Sequence, residues 1–220
     1  MTDLASKTTE EKFARSHDED VTLEELKELL KDDNYFVRFE ALFNPKITSE
    51  MLDEAIKDPE PNVRVNVASH PSATPEQLAA WSKDPDLGIR YGVIRNANLP
   101  IPLLEAAVKD PHYQVRELAV KHPWATLDML KTAVTDENPA VRRCAVLHPT
   151  SDLSILETAI NDAAWDVRAA AAGHPKAPHA LIKAWFDNKA NTPFKLHNWA
   201  LDLRNRMIEL ERAEASKVSQ

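Results

Sequence analysis

A Val-Arg pair recurs along this chain as Val37-Arg38, Val63-Arg64, Ile89-Arg90, Val115-Arg116, Val141-Arg142 and Val167-Arg168, always 26 residues apart. Six residues after each Arg stands Asn44, His70, Asn96, His122, His148 or His174, followed by Pro everywhere except at Ala97. Six before it stands Asp32, Asp58, Asp84, Asp110, Asp136 or Asp162. A leucine column reads Leu26, Leu52, Leu78, Leu104, Leu130 and Leu156, with Ile182 in a seventh, partial copy. In-register copies at this period predict a solenoid, because so short a unit hides its apolar face only by stacking on its neighbours.

Each unit reads as two short helices. The first begins at a cap such as Thr22, Thr48, Thr74 or Thr126 and runs toward the Asp. In the second unit Met51, Leu52, Ala55 and Ile56 share one arc of that helix, while Asp53, Glu54 and Lys57 face away. A break follows, then a second helix carrying Val-Arg. His-Pro or Asn-Pro ends it, since Pro cannot continue a helix and Asn or His suits a C-terminal cap.

The succession of Asp-Pro, Val-Arg, His-Pro or Asn-Pro, and Thr-Pro-Glu-x-Leu resembles the leucine-rich repeat variant family, related in style to HEAT-repeat proteins, over roughly residues 22–187. The resemblance implies a right-handed superhelix in which an α-helix alternates with a shorter, sometimes 3₁₀, helix. This chain has a slightly longer unit and lacks the cysteine cluster that holds iron-sulfur in one member, which favours a second full α-helix and removes the cofactor. The family is a fold description and brings no defined activity. The expected fold is all-α, a right-handed α-solenoid of about six 26-residue two-helix repeats with helical terminal caps. Residues 1–21 are expected to form an acidic N-terminal segment or cap, 22–187 the repeats, and 188–220 a C-terminal capping helix and tail.

Composition narrows the chemistry. A net charge of −8 disfavours a broad phosphate-binding surface, and nucleic acid is not the expected partner. One cysteine, Cys144, excludes an internal disulfide and any multi-thiolate metal site, and suits a reducing compartment. The acidic N-terminus is unlike a signal peptide and no apolar run spans a bilayer, so the expectation is a cytoplasmic chain without membrane attachment. There is no glycine-rich phosphate loop, and three glycines do not supply a nucleophile elbow. Catalytic, cofactor-binding and metal-ligating residues are therefore expected to be none. Cys144, in a column with Leu118 and Ala170, reads as a packed thiol.

On a helical wheel Arg38 lies inside the apolar arc of Val37, Ala41 and Leu42. The arginines therefore read as buried partners of the Asp six residues earlier, in a structural ladder of Asp58, Arg64, Asp84, Arg90, Asp110, Arg116, Asp136, Arg142, Asp162 and Arg168. The His column cannot converge on zinc. Stacked helices lie about 8–10 Å apart, whereas ligating nitrogens lie about 2.0–2.1 Å from the ion.

If shared columns build the scaffold, function belongs where the units differ, on the remaining arc of the second helix. Candidate partner-binding residues there are Asn62, Val65, Tyr91, Arg95, Gln114, Glu117, Lys121 and Arg143, with Trp124 in the adjoining loop. Trp124 is either exposed or props its turn, Trp165 is expected to pack where the second helix begins, and Trp81 and Trp185 fall in a core column. Gly88 and Gly92 in the third unit suggest a bend or close approach by a partner. Phe36, Phe39 and Phe43 in the first unit make an apolar patch that Phe13 and Ala14, or a second protein, should cover. A helix from about Phe194 to Ala215, with Leu196, Trp199, Ala200, Leu203 and Met207 on one face, should cap the other end. The function expected is a non-enzymatic protein–protein interaction scaffold, monomeric in isolation, with a protein partner of unspecified identity. The alternative is a nucleic-acid-binding or HEAT-like DNA glycosylase-type solenoid, in which Trp, Asp and Arg would line a concave face.

Overall fold

The computed structural model describes residues 4–194 and 198–218, and every regular element among them is helical. The chain divides into two compact units, residues 1–107 and 108–220. The first holds a 3₁₀ turn, Leu4–Ser6, then α1 (Thr9–His17), α2 (Leu23–Leu29), α3 (Tyr35–Ala41), α4 (Ser49–Ala55), α5 (Pro61–Ala68), α6 (Pro75–Trp81), α7 (Leu87–Ile94) and α8 (Ile101–Ala107). The second holds α9 (Tyr113–Lys121), α10 (Leu127–Ala133), α11 (Pro139–Leu147), α12 (Leu153–Ala159), α13 (Trp165–Gly173) and α14 (His179–Asp187). A 3₁₀ segment, Lys189–Phe194, then leads to α15 (Asn198–Val218). The second helix of each repeat is α-helical throughout, as the longer unit predicted.

Helices this short are held by their ends and by packing rather than by propensity. Thr22, Thr74 and Thr126 each accept the backbone N–H three residues on, and Glu25 and Gln77 return the bond to the cap residue. Thr48 makes no such side-chain bond. The leucine column is fully buried at Leu26, Leu52 and Leu78 in the first unit and at Leu130, Leu156 and Ile182 in the second. Close helix packing runs α1–α3–α5–α7 in one unit and α9–α11–α13 in the other, so the second helices form the tight side of each stack.

The third repeat's glycines serve this packing. A Cβ on Gly92 would lie 2.5 Å from the Val65 carbonyl oxygen and 2.8 Å from Ala68 Cβ. Gly88 faces Val65 in the same way, at 3.1 Å from Cγ2. The close approach inferred from the sequence is therefore made by α5 of the same chain and not by a partner.

The Arg ladder exists, with a correction to its register. Each Arg reaches the Asp six residues earlier only through that residue's backbone: Nη1 donates to the carbonyls of Asp32, Asp58, Asp84, Asp110, Asp136 and Asp162. The carboxylates face the Arg of the preceding repeat instead. Arg38 holds Asp58, Arg116 holds Asp136 and Arg142 holds Asp162, each through two N–H···O bonds between 2.6 and 2.9 Å. Arg64 departs, taking Asp86 rather than Asp84, and Arg168 takes Asn191 Oδ1. Each ladder Asp also accepts the amide two residues on, as in Glu60 to Asp58 and Asn138 to Asp136. One side chain thereby ties its own turn to the repeat before it.

Terminal segments supply what a missing repeat would. Lys12 of α1 reaches Asp32 at 2.6 Å, where a preceding Arg would stand, and Phe13 stacks on Phe36 with ring centroids 5.8 Å apart. At the other end, Trp199 meets Trp185 edge-on at 5.1 Å, and Ala200 and Leu203 are buried. The capping helix is described over Asn198–Val218. Leu196 lies outside the described residues, as does the side chain of Phe194.

Candidate functional site

The polar atoms of the His/Asn column are engaged within the stack. Asn44 Nδ2 donates to the Ser16 carbonyl, His70 Nε2 to Leu42, Asn96 Nδ2 to Ala68 and His148 Nε2 to His122, all near the C-terminal end of the preceding helix. In each member the other polar atom accepts the amide two residues on, at Lys46, Ser72, Asn98, Trp124, Thr150 and Lys176. A neutral imidazole with its proton on Nε2 and an Asn amide offer the same donor and acceptor, which is why the two residues alternate in one column. Burial pushes the pKa of His70, His122 and His174 below the ordinary imidazole value, and at His174 the charges of Lys176 and Arg206 add to it. Among the described residues no group of His, Cys, Asp and Glu is gathered as a metal site.

With Arg, Asp and His committed to the stack, the outward arc of the second helices is left. In the first unit Asn62 and Arg95 are exposed and Tyr91 is half-buried. Val65 is half-buried too, but it packs toward α7 against the two glycines, so it belongs to the scaffold as much as to the strip. In the second unit Gln114, Lys121 and Arg143 are exposed. Glu117 pairs with Lys121 at 2.5 Å and approaches the Cys144 thiol at 3.8 Å. Burial raises the Cys144 pKa, which Glu117 reinforces against the opposing charges of Lys121 and Arg143, so the thiol stays protonated and unreactive.

Exposed apolar side chains lie on this arc, and of them Leu147 was not singled out from the sequence. Phe43 is 57% exposed and Leu147 47%, both in the column that also supplies Ser69, Arg95 and Lys121. The signal was the column itself, whose members share no chemistry because none of them holds the stack. Trp124 is 46% exposed and also props its turn, its ring edge-on to His122 at 5.0 Å. Trp165, expected to pack where the second helix begins, stands at the start of α13 and is 45% exposed. Of the phenylalanine patch, Phe13 stacks on Phe36 but leaves it 43% exposed, and Phe43 meets the edge of Phe39, at 5.3 Å, and is 57% exposed.

No helix among the described residues is long and apolar enough to cross a membrane. No protein-family model matches the chain, and no curated protein matches it in sequence. Solved structures do. One, described as a leucine-rich repeat variant with a novel repetitive structural motif, superposes with a TM-score of 0.61 at 24% identity, over 85% of this chain and 70% of the other. Another, the Escherichia coli protein YibA, gives a TM-score of 0.50 at 19% identity, over 94% of this chain and 93% of the other. At these identities the likeness concerns the fold. The chain has the all-α helical-repeat architecture of the leucine-rich repeat variant and of YibA.

Proposed function

We propose that this protein is a non-enzymatic scaffold that binds another protein along the outward strip of its second helices. The observation that carries the reading is the division of labour within each repeat. Polar groups that recur are consumed inside the stack, while the exposed positions vary and mix apolar anchors with charge. In the first unit Phe43 is exposed along with Asn62 and Arg95, and in the second unit Leu147 and Trp124 are exposed along with Lys121 and Arg143. Large apolar side chains set among polar and Arg neighbours are the usual make-up of a protein-binding patch. The Cys144 thiol is buried with its pKa raised, and the ring nitrogens of His70 and His148 are taken up by backbone hydrogen bonds, so neither column presents a free nucleophile or base at that surface.

The nucleic-acid alternative loses its main support, because the arginines it would turn toward phosphate are occupied by carboxylates and carbonyls. The test is photo-crosslinking in the native host, with benzoylphenylalanine placed at Lys121, at Arg143 and, as a control on a first helix, at Glu157. A discrete protein adduct at the first two positions and none at the third supports the proposal. An adduct with RNA or DNA that survives at physiological salt contradicts it.

A further inference from the structure

The loop after each second helix lies against the loop of the repeat before it, and twice the two are tied by a lysine. Lys46 Nζ donates to the carbonyls of Glu19 and Val21 at 2.6 and 2.9 Å. Lys176 Nζ donates to those of Pro149 and Ser151 at 2.9 and 2.8 Å. Arg206 of α15 stands in for the lysine that a further repeat would supply, its Nη2 donating to Pro175 and Ala177 at 2.8 and 2.9 Å. These carbonyl pairs occupy one place in the repeat, offset from each other by multiples of 26 residues.

In the first unit one such pair has its carbonyls but not its cation. Pro45 and Ile47 hold the equivalent place, and the residue in the lysine column is Ser72. The Ser72 amide is held by His70 as that of Lys46 is by Asn44 and that of Lys176 by His174, so the backbone is set alike and only the side chain is too short. Among the described residues no side chain donates to either carbonyl, and a pocket of about 400 Å³ lies there, with Phe43, Pro45, Asn66, Ser69 and Ser72 in its lining. We infer that this pocket takes a lysine side chain presented by a partner protein, with its ammonium on the Pro45 and Ile47 carbonyls and its stem along the Phe43 ring. An ammonium brings three donors and makes charge-assisted bonds, and the stem is apolar enough to lie on an exposed ring. The lining holds no carboxylate, so a free amine would exchange its water for two neutral carbonyls alone. Every cation that the fold sets on such a pair is delivered by a chain. Phe43, Asn66 and Ser69 also belong to the variable arc of the second helices, so the inference rests on the proposed strip and names the chemistry of what meets it in the first unit.

The filled pairs supply a built-in control. With the full chain isotope-labelled at its backbone nitrogens, a capped Leu-Lys-Leu peptide should saturably shift the amide signals of Lys46 and Thr48, which follow the two carbonyls. Those of Thr150 and Asp152, whose pair Lys176 already fills, should stay unmoved. Peptides with norleucine or acetyl-lysine at the centre should be inert, and butylammonium should bind more weakly than the lysine peptide. Ser72→Lys should move the Lys46 and Thr48 signals by itself, abolish the response to the peptide and raise the melting temperature by about 2–4 °C, as one further hydrogen bond implies for a chain of this size. Ser72→Met should do none of these. No shift at Lys46 and Thr48, equal shifts at Thr150 and Asp152, an active norleucine peptide, or a Ser72→Met variant that matches Ser72→Lys would each overturn the inference. Butylammonium binding as tightly as the peptide, or more tightly, would assign the pocket to a free amine and overturn it as well. The crosslinks from Lys121 and Arg143 report the other unit, so they can support the strip while this pocket fails, or fail while it binds.

Discussion

Arg38 and Asp58, twenty residues apart in the sequence and in different repeats, meet through two parallel bonds, Nε to Oδ2 at 2.6 Å and Nη2 to Oδ1 at 2.8 Å. Their side chains are 10% and 5% exposed. Burial pushes the Asp58 carboxyl upward, yet the Arg38 bond, the Glu60 amide and the charges of Arg38 and Arg64 together hold it below its ordinary value. The pair is thus ionised, fully hydrogen-bonded and shared between neighbouring repeats.

Removing one partner leaves a buried charge. Arg38→Ala or Asp58→Ala should each cost about 3–5 kcal/mol, and the double variant should cost clearly less than their sum. Arg38→Ala with Asp32→Ala, the pairing within one repeat, should be close to additive, because Arg38 touches only the Asp32 backbone. Urea unfolding of the single and double variants checks both.

The imidazole column should make stability fall in mild acid. His70 and His174 have folded pKa values below the ordinary 6.5, so the unfolded chain binds the proton more readily. Their contribution is full above about pH 6.5 and is lost as pH drops through the folded values. His70→Asn and His174→Asn keep a donor and an acceptor, so together they should cost little at neutral pH and flatten the dependence of the urea midpoint between about pH 7 and 5.5. An unchanged slope would show that other groups carry it.

Glycine should matter by position. Gly92→Ala must displace the α5 backbone, for about 1–3 kcal/mol of destabilisation. Gly173→Ala meets nothing within 4 Å and should stabilise α13 by about 0.5–1 kcal/mol. Thermal melts of the two variants should move in opposite directions.

Deleting residues 1–20 strips Lys12 from Asp32, Phe13 from Phe36 and the Ser16 carbonyl from Asn44. The truncated chain should melt lower and bind a hydrophobic dye. An equal melting temperature would mean that α1 does not close the stack.

The repeat, its helices and the burial of its arginines were legible because each follows from spacing alone. The ladder's register was not. An Asp column lies both six residues before each Arg and twenty after it, and a perfect period cannot separate the two. Only the reach of the guanidinium from α3 toward the next repeat decides for Asp58 over Asp32. The switch to Asp86 at Arg64 was equally hidden, since Asp84 preserves the column. Gly92 showed in the sequence as an irregularity, but whether a partner or α5 filled the space depended on helix packing. The strip could be read as variable and Phe43 as part of an apolar patch, yet the exposed anchor Leu147 stood out only once burial was known.

Arg142 and Arg143 are neighbours in the sequence with opposite assignments, one holding Asp162 inside the stack and the other exposed on the strip. The most direct test of the account measures the melting temperature and the yield of the protein crosslink formed from position 121, on Arg142→Ala and Arg143→Glu in parallel. Arg142→Ala should lower the melting temperature by about 6–12 °C, as a loss of about 3 kcal/mol implies for a chain of this size. Arg143→Glu should leave it unchanged and sharply reduce the crosslink. A stable Arg142→Ala protein, or an Arg143→Glu protein that crosslinks as well as the parent, would contradict the separation of scaffold from binding surface.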